Sequence, residues 1–532
     1  MTQPPTLLPA PAGLVINESP VSNYLAKQRT LETPVARFSE QHDALSLEGI
    51  GAFSTLIPLT QPGPGQQYAF EVDMDRCTGC KACVAGCHSM NGLHDEETWR
   101  DVGLVHGFID AQSYQQTVTT ACHHCADPAC LNGCPVLAYE KDPITGIVSH
   151  LDDQCIGCQY CVLKCPYEVP KYNPSLGIVR KCDMCQNRLA TGEAPACVQA
   201  CPTEAIRIAI VTTEPMREAS TDFLTAAPDP AYTRPTTRYL TQRKIPQNLE
   251  AADAHSPRVE HAHYPLVFML ILTQGGVGGV FSAVAWHALG HADAARFSIS
   301  VGLVLLLSGL AASMLHLGRP LGAWRAFLGL RRSWLSREIV LFGAFTPLAV
   351  MYGALSWGIP TVKTALNLLP LGLIPLGIAA VFSSAMIYVD TQRYNWRLPI
   401  TLIEFAESAA LLGFGITATS AAITGAPHLF AGIGWPLTVA IVLMIDRIRE
   451  ATAPDQGPAK LRVIILDTQL KIRQQQRRGL LISAFALAVG GLEAGTILMV
   501  PALFATLAGE LIGRALYFQA VIAPKMPGGY HR

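Results

Sequence analysis

Residues 155–173 read CIGCQYCVLKCPYEVPKYN, which places cysteines at 155, 158, 161 and 165. The same spacing, C-x2-C-x2-C-x3-C, occurs upstream at Cys77, Cys80, Cys83 and Cys87. Two wider variants complete the set: Cys122, Cys125, Cys130 and Cys134, then Cys182, Cys185, Cys197 and Cys201. Together the four groups use all sixteen cysteines of the chain. Three groups end in Cys-Pro, at Pro135, Pro166 and Pro202, whereas the first ends in Cys87-His88. Proline fixes φ and turns the chain away from whatever the cysteines hold.

Three thiols from one tight loop, with a fourth three residues behind, is the spacing that ligates [4Fe–4S] clusters. The fourth cysteine points away and serves the neighbouring cluster, so such motifs work in pairs. The second and third motifs are close neighbours and are expected to pair, as are the first and fourth across them. The expected ligand sets are Cys122, Cys125, Cys130 with Cys165, and Cys155, Cys158, Cys161 with Cys134. The other two are Cys77, Cys80, Cys83 with Cys201, and Cys182, Cys185, Cys197 with Cys87. Disulfides and structural zinc are the competing uses. A disulfide framework belongs to an oxidising compartment, and the sequence shows neither a signal peptide nor a twin-arginine pair, Arg29 and Arg37 standing alone. Structural zinc favours two separated C-x2-C knuckles. The Gly-Ile-Val stretches 146–148 and 177–179 fit the small strands of ferredoxin folds. Lys81, Lys164 and Lys171 lie near the motifs, where a solvated lysine is the ordinary outcome.

Outward from the cysteines the composition changes. The chain has 532 residues, of which 15% are charged and 50% hydrophobic, with a mean hydropathy of +0.28. Those values exclude a disordered chain and argue against a wholly soluble one. The net charge of −1 offers nothing to a nucleic acid. Four regions are expected: an arm, 1–65, either a loose tail or a strap for a partner subunit; a four-cluster domain, 66–210; an extended Pro- and Thr-rich connector, 211–262; and a membrane domain, 263–532. Apolar runs suited to spanning helices, about 20 residues each, fall near 266–289, 297–317, 339–357, 366–389, 400–423 and 428–446. The stretch 479–522 is interrupted at Gly490–Gly495 and reads as two more spans around a tight turn. The fold class is thus an α+β tandem ferredoxin-like module followed by an all-α polytopic bundle of about eight helices.

The segments CTGCKACVAGCHSMNG, CHHCADPACLNGCP, CIGCQYCVLKCPYEVPKYN and KCDMC…ACVQACP resemble the four-cluster subunit of the dimethyl sulfoxide reductase family of molybdenum oxidoreductases, over residues 68–245. In the respiratory nitrate reductase relatives a tryptophan at the second cysteine of the third motif gives a three-iron cluster. Here that position is Cys158, so the resemblance implies four [4Fe–4S] clusters. The segments SMLHLGRPLGAWRAFLGLRRSWLSREI and GELIGRALYF resemble the membrane anchor subunit of the same family. The two subunits are usually separate chains there, and here they are fused. The resemblance implies that His316 and Glu338 line a quinol site, with Arg319 and Arg337 flanking them, His316 hydrogen bonding the quinol and Glu338 taking its proton. Gln274 is a weaker candidate for the same pocket. Glu510 and Arg514, four apart, read as a structural ion pair, and Glu404 and Glu407 as residues favouring a helix start.

The histidines beyond residue 256 lie at expected span ends or outside them, so no haem is expected. The loops after the second, fourth and sixth spans hold most of the Lys and Arg, from Arg319 to Arg478, against Arg296 and Lys363 on the other side. Such a bias places those loops, and the iron–sulfur domain with them, in the cytoplasm of a bacterial inner membrane. The reading is a non-catalytic subunit with its own quinol-oxidising site. It passes electrons from the quinol pool through four clusters to a separate molybdopterin-containing subunit. Two others fit the same residues: the wire run in reverse by a dehydrogenase, and a redox-coupled ion transporter. The latter calls for charged residues in mid-membrane, of which few are visible.

Overall fold

The computed structural model describes residues 54–213 and 223–528, apart from positions 96, 111, 257, 359–362, 428, 453, 455–456 and 495. Most of the expected N-terminal arm, with Arg29 and Arg37, lies outside the described residues, as do His428 and His531.

The cysteine-bearing module comprises, in order, β1 (Gln66–Asp73), α1 (Ala82–Met90), β2 (Asp101–Ile109), β3 (Gln112–Thr120), α2 (Ala129–Gly133), β4 (Tyr139–Lys141), β5 (Val148–His150), α3 (Tyr160–Lys164), β6 (Lys171–Asn173), β7 (Ile178–Arg180), α4 (Gln186–Ala190), α5 (Ala196–Gln199), β8 (Ile206–Thr212), β9 (Arg238–Leu240) and β10 (Glu250–Ala251). The central strand β1 pairs antiparallel with β8, from Gln66 opposite Thr212 to Val72 opposite Ile206, and parallel with β9. A second sheet has the order β10-β2-β3. Two hairpins, β4–β5 and β6–β7, are the small strands expected near Gly146 and Gly177. Phe70, Val72, Met74, Val118, Ile147, Val198 and Ile206 close the core between the sheets and the cysteine loops. The stretch read as a connector contributes β9 and β10 and buries Phe223, Leu224 and Tyr239 in that core.

The C-terminal half contains α6 (Tyr264–Ala288), α7 (Ala292–Met314), α8 (Trp334–Ser356), α9 (Pro370–Val389), α10 (Leu398–Thr424), α11 (Leu429–Ala451), the shorter α12 (Pro458–Thr468), α13 (Lys471–Ala494) and α14 (Thr496–Gln519). Among the described residues six helices are long and apolar enough to cross a membrane: α6, α7, α8, α10, the run Leu366–Val389 that ends in α9, and Ile497–Gln519 of α14. With α11 and α13, eight helices reach at least 20 residues. α13 opens with Lys471, Arg473, Arg477 and Arg478, which leaves only its second half apolar. The tight turn expected within Gly490–Gly495 is not at the glycines 490 and 491, which are helical in α13; α13 ends at Ala494 and α14 begins at Thr496.

α6 is the hub of this bundle and is mostly buried. It packs on α7, α10 and α14. Its glycines permit that: a Cβ on Gly279 would stand 2.6 Å from the Cα of Gly302 on α7. Small residues let membrane helices approach closely where no hydrophobic drive separates helix from lipid. The C-terminal end of α7, the N-terminal ends of α8 and α10 and the residue after α9 all touch the cysteine-bearing module through His316, Ser333, Arg393 and Asp390. That face of the bundle therefore carries the module.

Candidate metal centres and their junction with the membrane helices

The two C-x2-C-x2-C loops fold alike. Gly79 and Gly157 have φ of 73° and 69°, and the next-but-one residues, Lys81 and Gln159, have φ of 62° and 58°. These left-handed residues curl each loop, and the third cysteine lies in the first turn of α1 or α3. No disulfide joins any of the sixteen cysteines.

Several of their electrostatic neighbours come from paired motifs, although Cys182 also faces Cys122 and Cys197 also faces Cys83. Cys83 faces Cys77 and Cys201. Cys87 faces Cys197 and Cys185, and Cys182 faces Cys87 and Cys197. Cys125 faces Cys122, Cys165 and Cys130, and these four line one small cavity with His123, Tyr167 and Lys181. Cys161 faces Cys158, Cys134 and Cys155. In each set the cysteine that stands apart in sequence, Cys201, Cys87, Cys165 or Cys134, is the last of its own motif.

The surroundings suit thiolates. Backbone N–H groups donate to sulfur from Ala138 to Cys134 (3.2 Å), Ala205 to Cys201 (3.3 Å) and Gly157 to Cys155 (3.4 Å). Burial, then the neighbouring Cys197, pushes the Cys87 thiol up to about 12. Four thiolates coexist in such a place only when metal cations share their charge. This donor set fits iron–sulfur clusters. Among the described residues no three His, Cys, Asp or Glu side chains converge at single-ion distance.

Two buried cations among the thiols escaped the sequence reading. Lys181, 3% exposed, points Nζ at Cys122 Sγ (3.7 Å) and at the Cys182 carbonyl (2.8 Å), between two thiol sets. Arg100, 2% exposed, stacks over Phe70 at 4.5 Å and faces Cys197 and Cys83; burial disfavours its charge, but the thiols outweigh that and raise its pKa. Lys181 directly precedes Cys182, which was a signal; Arg100 lies outside every motif. The lysines singled out by position do other work. Lys171 pairs with Glu168 at 3.1 Å, and Lys164 is buried against Asp390 at 2.6 Å.

The set Cys134, Cys155, Cys158 and Cys161 meets the membrane helices. Segment 316–333 grips it. The Arg319 N–H donates to the Ile156 carbonyl (3.1 Å), the Gly329 N–H to that of Pro135 (2.8 Å), and the Ser333 hydroxyl to that of Gly133 (2.7 Å). The Arg319 and Arg325 guanidiniums donate to the carbonyls of Asp152 and Asp153. Gly177, φ 66°, and Gly318 touch backbone to backbone: a Cβ on Gly318 would meet the Gly177 carbonyl oxygen at 2.1 Å. From the other side Asp390 accepts from Tyr160 (2.9 Å) as well as Lys164. Within 320–327 a 3-10 helix exposes Leu321, Trp324 and Phe327. Apolar side chains so placed suit the membrane interface.

His316 lies at this junction, its Nε2 3.2 Å from the Cys158 carbonyl oxygen, its ring 5.6 Å from that of His263. A carbonyl only accepts, so Nε2–H donates and Nδ1 is left with a lone pair. Glu338 is 2% exposed and accepts from the Ser384 hydroxyl, and Tyr388 faces it. The two residues are linked by rings: Tyr388 packs on Phe518 (5.4 Å), and Phe518 on His263 (6.0 Å). Arg337 donates to the carbonyls of Leu330 and Arg331, and Arg319 serves the grip described above.

Glu510 and Arg514 do not pair with each other as their spacing suggests. Glu510 accepts from Ser408 and stands 3.7 Å from Arg477, which also holds Asp446. Arg514 donates to Gln274 (3.2 Å), Ser408 (3.2 Å) and the Glu404 carbonyl (3.1 Å), while Glu404 pairs with Arg449 at 2.7 Å. Five helices thus bring their charged or polar residues to one place, which the sequence disperses over 240 positions.

Comparison with known proteins agrees with this two-part layout. Residues 114–210 match a family described as 4Fe-4S dicluster domain, and residues 260–452 match the DMSO reductase anchor subunit (DmsC). The protein is 36% identical over 174 residues to the B subunit of anaerobic dimethyl sulfoxide reductase from Haemophilus influenzae, covering 30% of this sequence and 80% of that one. It is 36% identical over 183 residues to the B subunit of the Escherichia coli reductase, covering 32% and 86%. The formate dehydrogenase iron-sulfur subunit of Haemophilus influenzae is 35% identical over 176 residues, covering 30% and 56%. The anchor match and the six apolar helices mark a multi-pass membrane protein.

Proposed function

Since the protein belongs to the family of the anaerobic dimethyl sulfoxide reductase B subunit, with that system's anchor domain in the same polypeptide, we propose that it is the electron-transfer and membrane-anchor subunit of a molybdoenzyme complex. It oxidises quinol and delivers the electrons to a separate molybdopterin-containing subunit. Four [4Fe–4S] clusters are held by the four thiol sets described above, with Lys181 and Arg100 offsetting their negative charge. When bound, the clusters supply one-electron transfer.

The observation that carries this reading is the hydrogen bond from His316 to the Cys158 carbonyl. It sets a residue of the membrane half against the loop of a cluster ligand. There His316 binds a quinol hydroxyl through Nδ1, and Glu338 takes its proton. Segment 316–333 holds the cluster loop still, so the distance over which an electron travels is fixed. The two roles divide between the cysteine-bearing module, which extends through β10 to Ala251, and the membrane domain from residue 263. The Lys and Arg of the loops on the module face support a cytoplasmic module in a bacterial inner membrane.

The test is purification in mild detergent from native membranes, with a molybdenum assay, mass spectrometry of co-purifying chains and quinol-dependent bleaching of the visible absorbance. A molybdenum protein and bleaching by quinol are expected. A brown protein that comes out alone and is not bleached favours the ion-transporter reading, and a colourless one favours zinc.

A further inference from the structure

The charged residues shared by α10, α11, α13 and α14 surround a cavity of about 270 Å³. That volume admits several waters at roughly 30 Å³ each. Its polar groups are left incomplete. Glu510, 3% exposed, has no hydrogen bond at Oε1, and Arg514, 4% exposed, has none at Nη1 among the described residues. Glu407 Oε2 is likewise buried without a partner there. Donors and acceptors left open side by side call for water, since each unmet group costs about 1–3 kcal/mol.

The cavity has an inner wall and a mouth. Tyr517 lines it, and the ring of Tyr517 lies 5.6 Å from that of Tyr388, which faces Glu338. Tyr394, Arg397, Pro454 and Arg462 line it as well. Tyr394 and Arg397 flank the loop that Arg393 ties to the Leu163 carbonyl, so the mouth is on the face that carries the module. The cavity therefore opens on the polar side of the bundle, with the rings of Tyr517 and Tyr388 standing between it and Glu338.

We propose that this cavity is the hydrated outlet for the protons of the quinol site, with Glu407 as its principal carrier and Tyr517 at its entry. The inference rests on the quinol reading above. Oxidation of one quinol breaks two O–H bonds and yields a quinone, two protons and two electrons. The electrons pass to the iron–sulfur centres of that reading, and the protons leave Glu338 for Glu407 and then the mouth. Around Glu407 stand Glu404 on its own helix, Asp446 and Arg449 on α11, Arg477 and Arg478 on α13, and Glu510 and Arg514 on α14; Arg462 on α12 is at the rim. Groups of both signs thus surround Glu407.

The test uses the whole complex in membranes and a short-chain naphthoquinol, read by bleaching of the visible absorbance. Glu407→Gln is expected to lower kcat for quinol at least tenfold with KM unchanged and to alter the pH profile, whereas dithionite bleaches it at the normal rate. Glu407→Asp is expected to restore much of the rate; a merely structural role predicts neither that recovery nor the altered pH profile. If Glu407→Gln lacks iron, Tyr517→Phe, which removes one hydroxyl, carries the test with the same expectation. An unchanged kcat and pH profile in an iron-replete variant overturns this inference alone. Absence of bleaching by quinol in the unmodified complex overturns the quinol reading and this inference together.

Discussion

The Nε2 of His316 donates to the backbone carbonyl of Cys158 across 3.2 Å, joining two residues 158 positions apart. One contact sets a side chain at the end of α7 on the loop that holds a cluster ligand. On this basis His316→Ala is expected to slow quinol-dependent bleaching by about 100-fold, the range of a lost acid–base group. Iron content and bleaching by dithionite stay normal. Equal loss with both reductants would assign His316 to the cluster loop's integrity instead.

Gly318 and Gly177 touch where no side chain fits, with 2.1 Å from a Cβ on Gly318 to the Gly177 carbonyl oxygen. Gly318→Ala forces backbone apart and is expected to destabilise the junction by about 1–3 kcal/mol. Faster proteolysis within 316–333 reads it out. Gly343→Ala on α8, where a Cβ meets nothing within 4 Å, is the control expected to change nothing.

Cys158 belongs to the set nearest the membrane helices. Cys158→Ser is expected to leave a three-iron cluster there, lowering iron from about sixteen to about fifteen per chain. Electron paramagnetic resonance of the oxidised protein shows the new centre. Lys181→Met retains the iron and shifts a cluster potential downward, because a buried positive charge beside Cys122 is gone.

Asp390 is the acceptor for both Lys164 and Tyr160. Asp390→Asn leaves the Lys164 ammonium buried with a weakened partner. Since Asp390 is itself 26% exposed at its side chain, the expected cost is about 1–3 kcal/mol, below that of a fully buried pair. Thermal unfolding followed by cluster absorbance measures it.

The C-terminal tail is held to the module by a pH-sensitive contact. Asp253 pairs with Lys525 and accepts from the Gly528 N–H, while the Gly528 carbonyl accepts from Leu104 at 3.2 Å. Burial pushes the Asp253 carboxyl up, but Lys525 and the Gly528 N–H outweigh it and hold it below its ordinary 3.8. A carboxylate depressed on folding stabilises above its unfolded value, and that stability fades as pH falls through the folded one. Protection of the tail against hydrogen exchange is therefore expected at neutral pH and lost below about pH 4. Asp253→Asn should remove that dependence.

The membrane charges show where sequence reading loses its grip. A charged pair four apart on a helix, such as Glu510 and Arg514, is readable as a local contact. The structure joins the two only through the hydroxyl of Ser408 on α10, and sets Arg477 of α13 beside Glu510. Lys164 was readable only as a lysine beside a motif, since Asp390 lies 226 positions away. Arg100 had no motif to mark it.

The sequence by itself determined the two-part architecture and the apolar helices of the second half. Those follow from short-range rules: cysteine spacing marks an iron–sulfur module, and uninterrupted apolar length fixes which segments suit a bilayer. Only the tertiary structure decided which cations lie among the thiols, how segment 316–333 grips the Cys155–Cys158 loop, and that five helices share one polar cavity. These depend on residues far apart in the chain meeting at short distance, set by helix packing and backbone approach, and no local period in the sequence encodes such meetings.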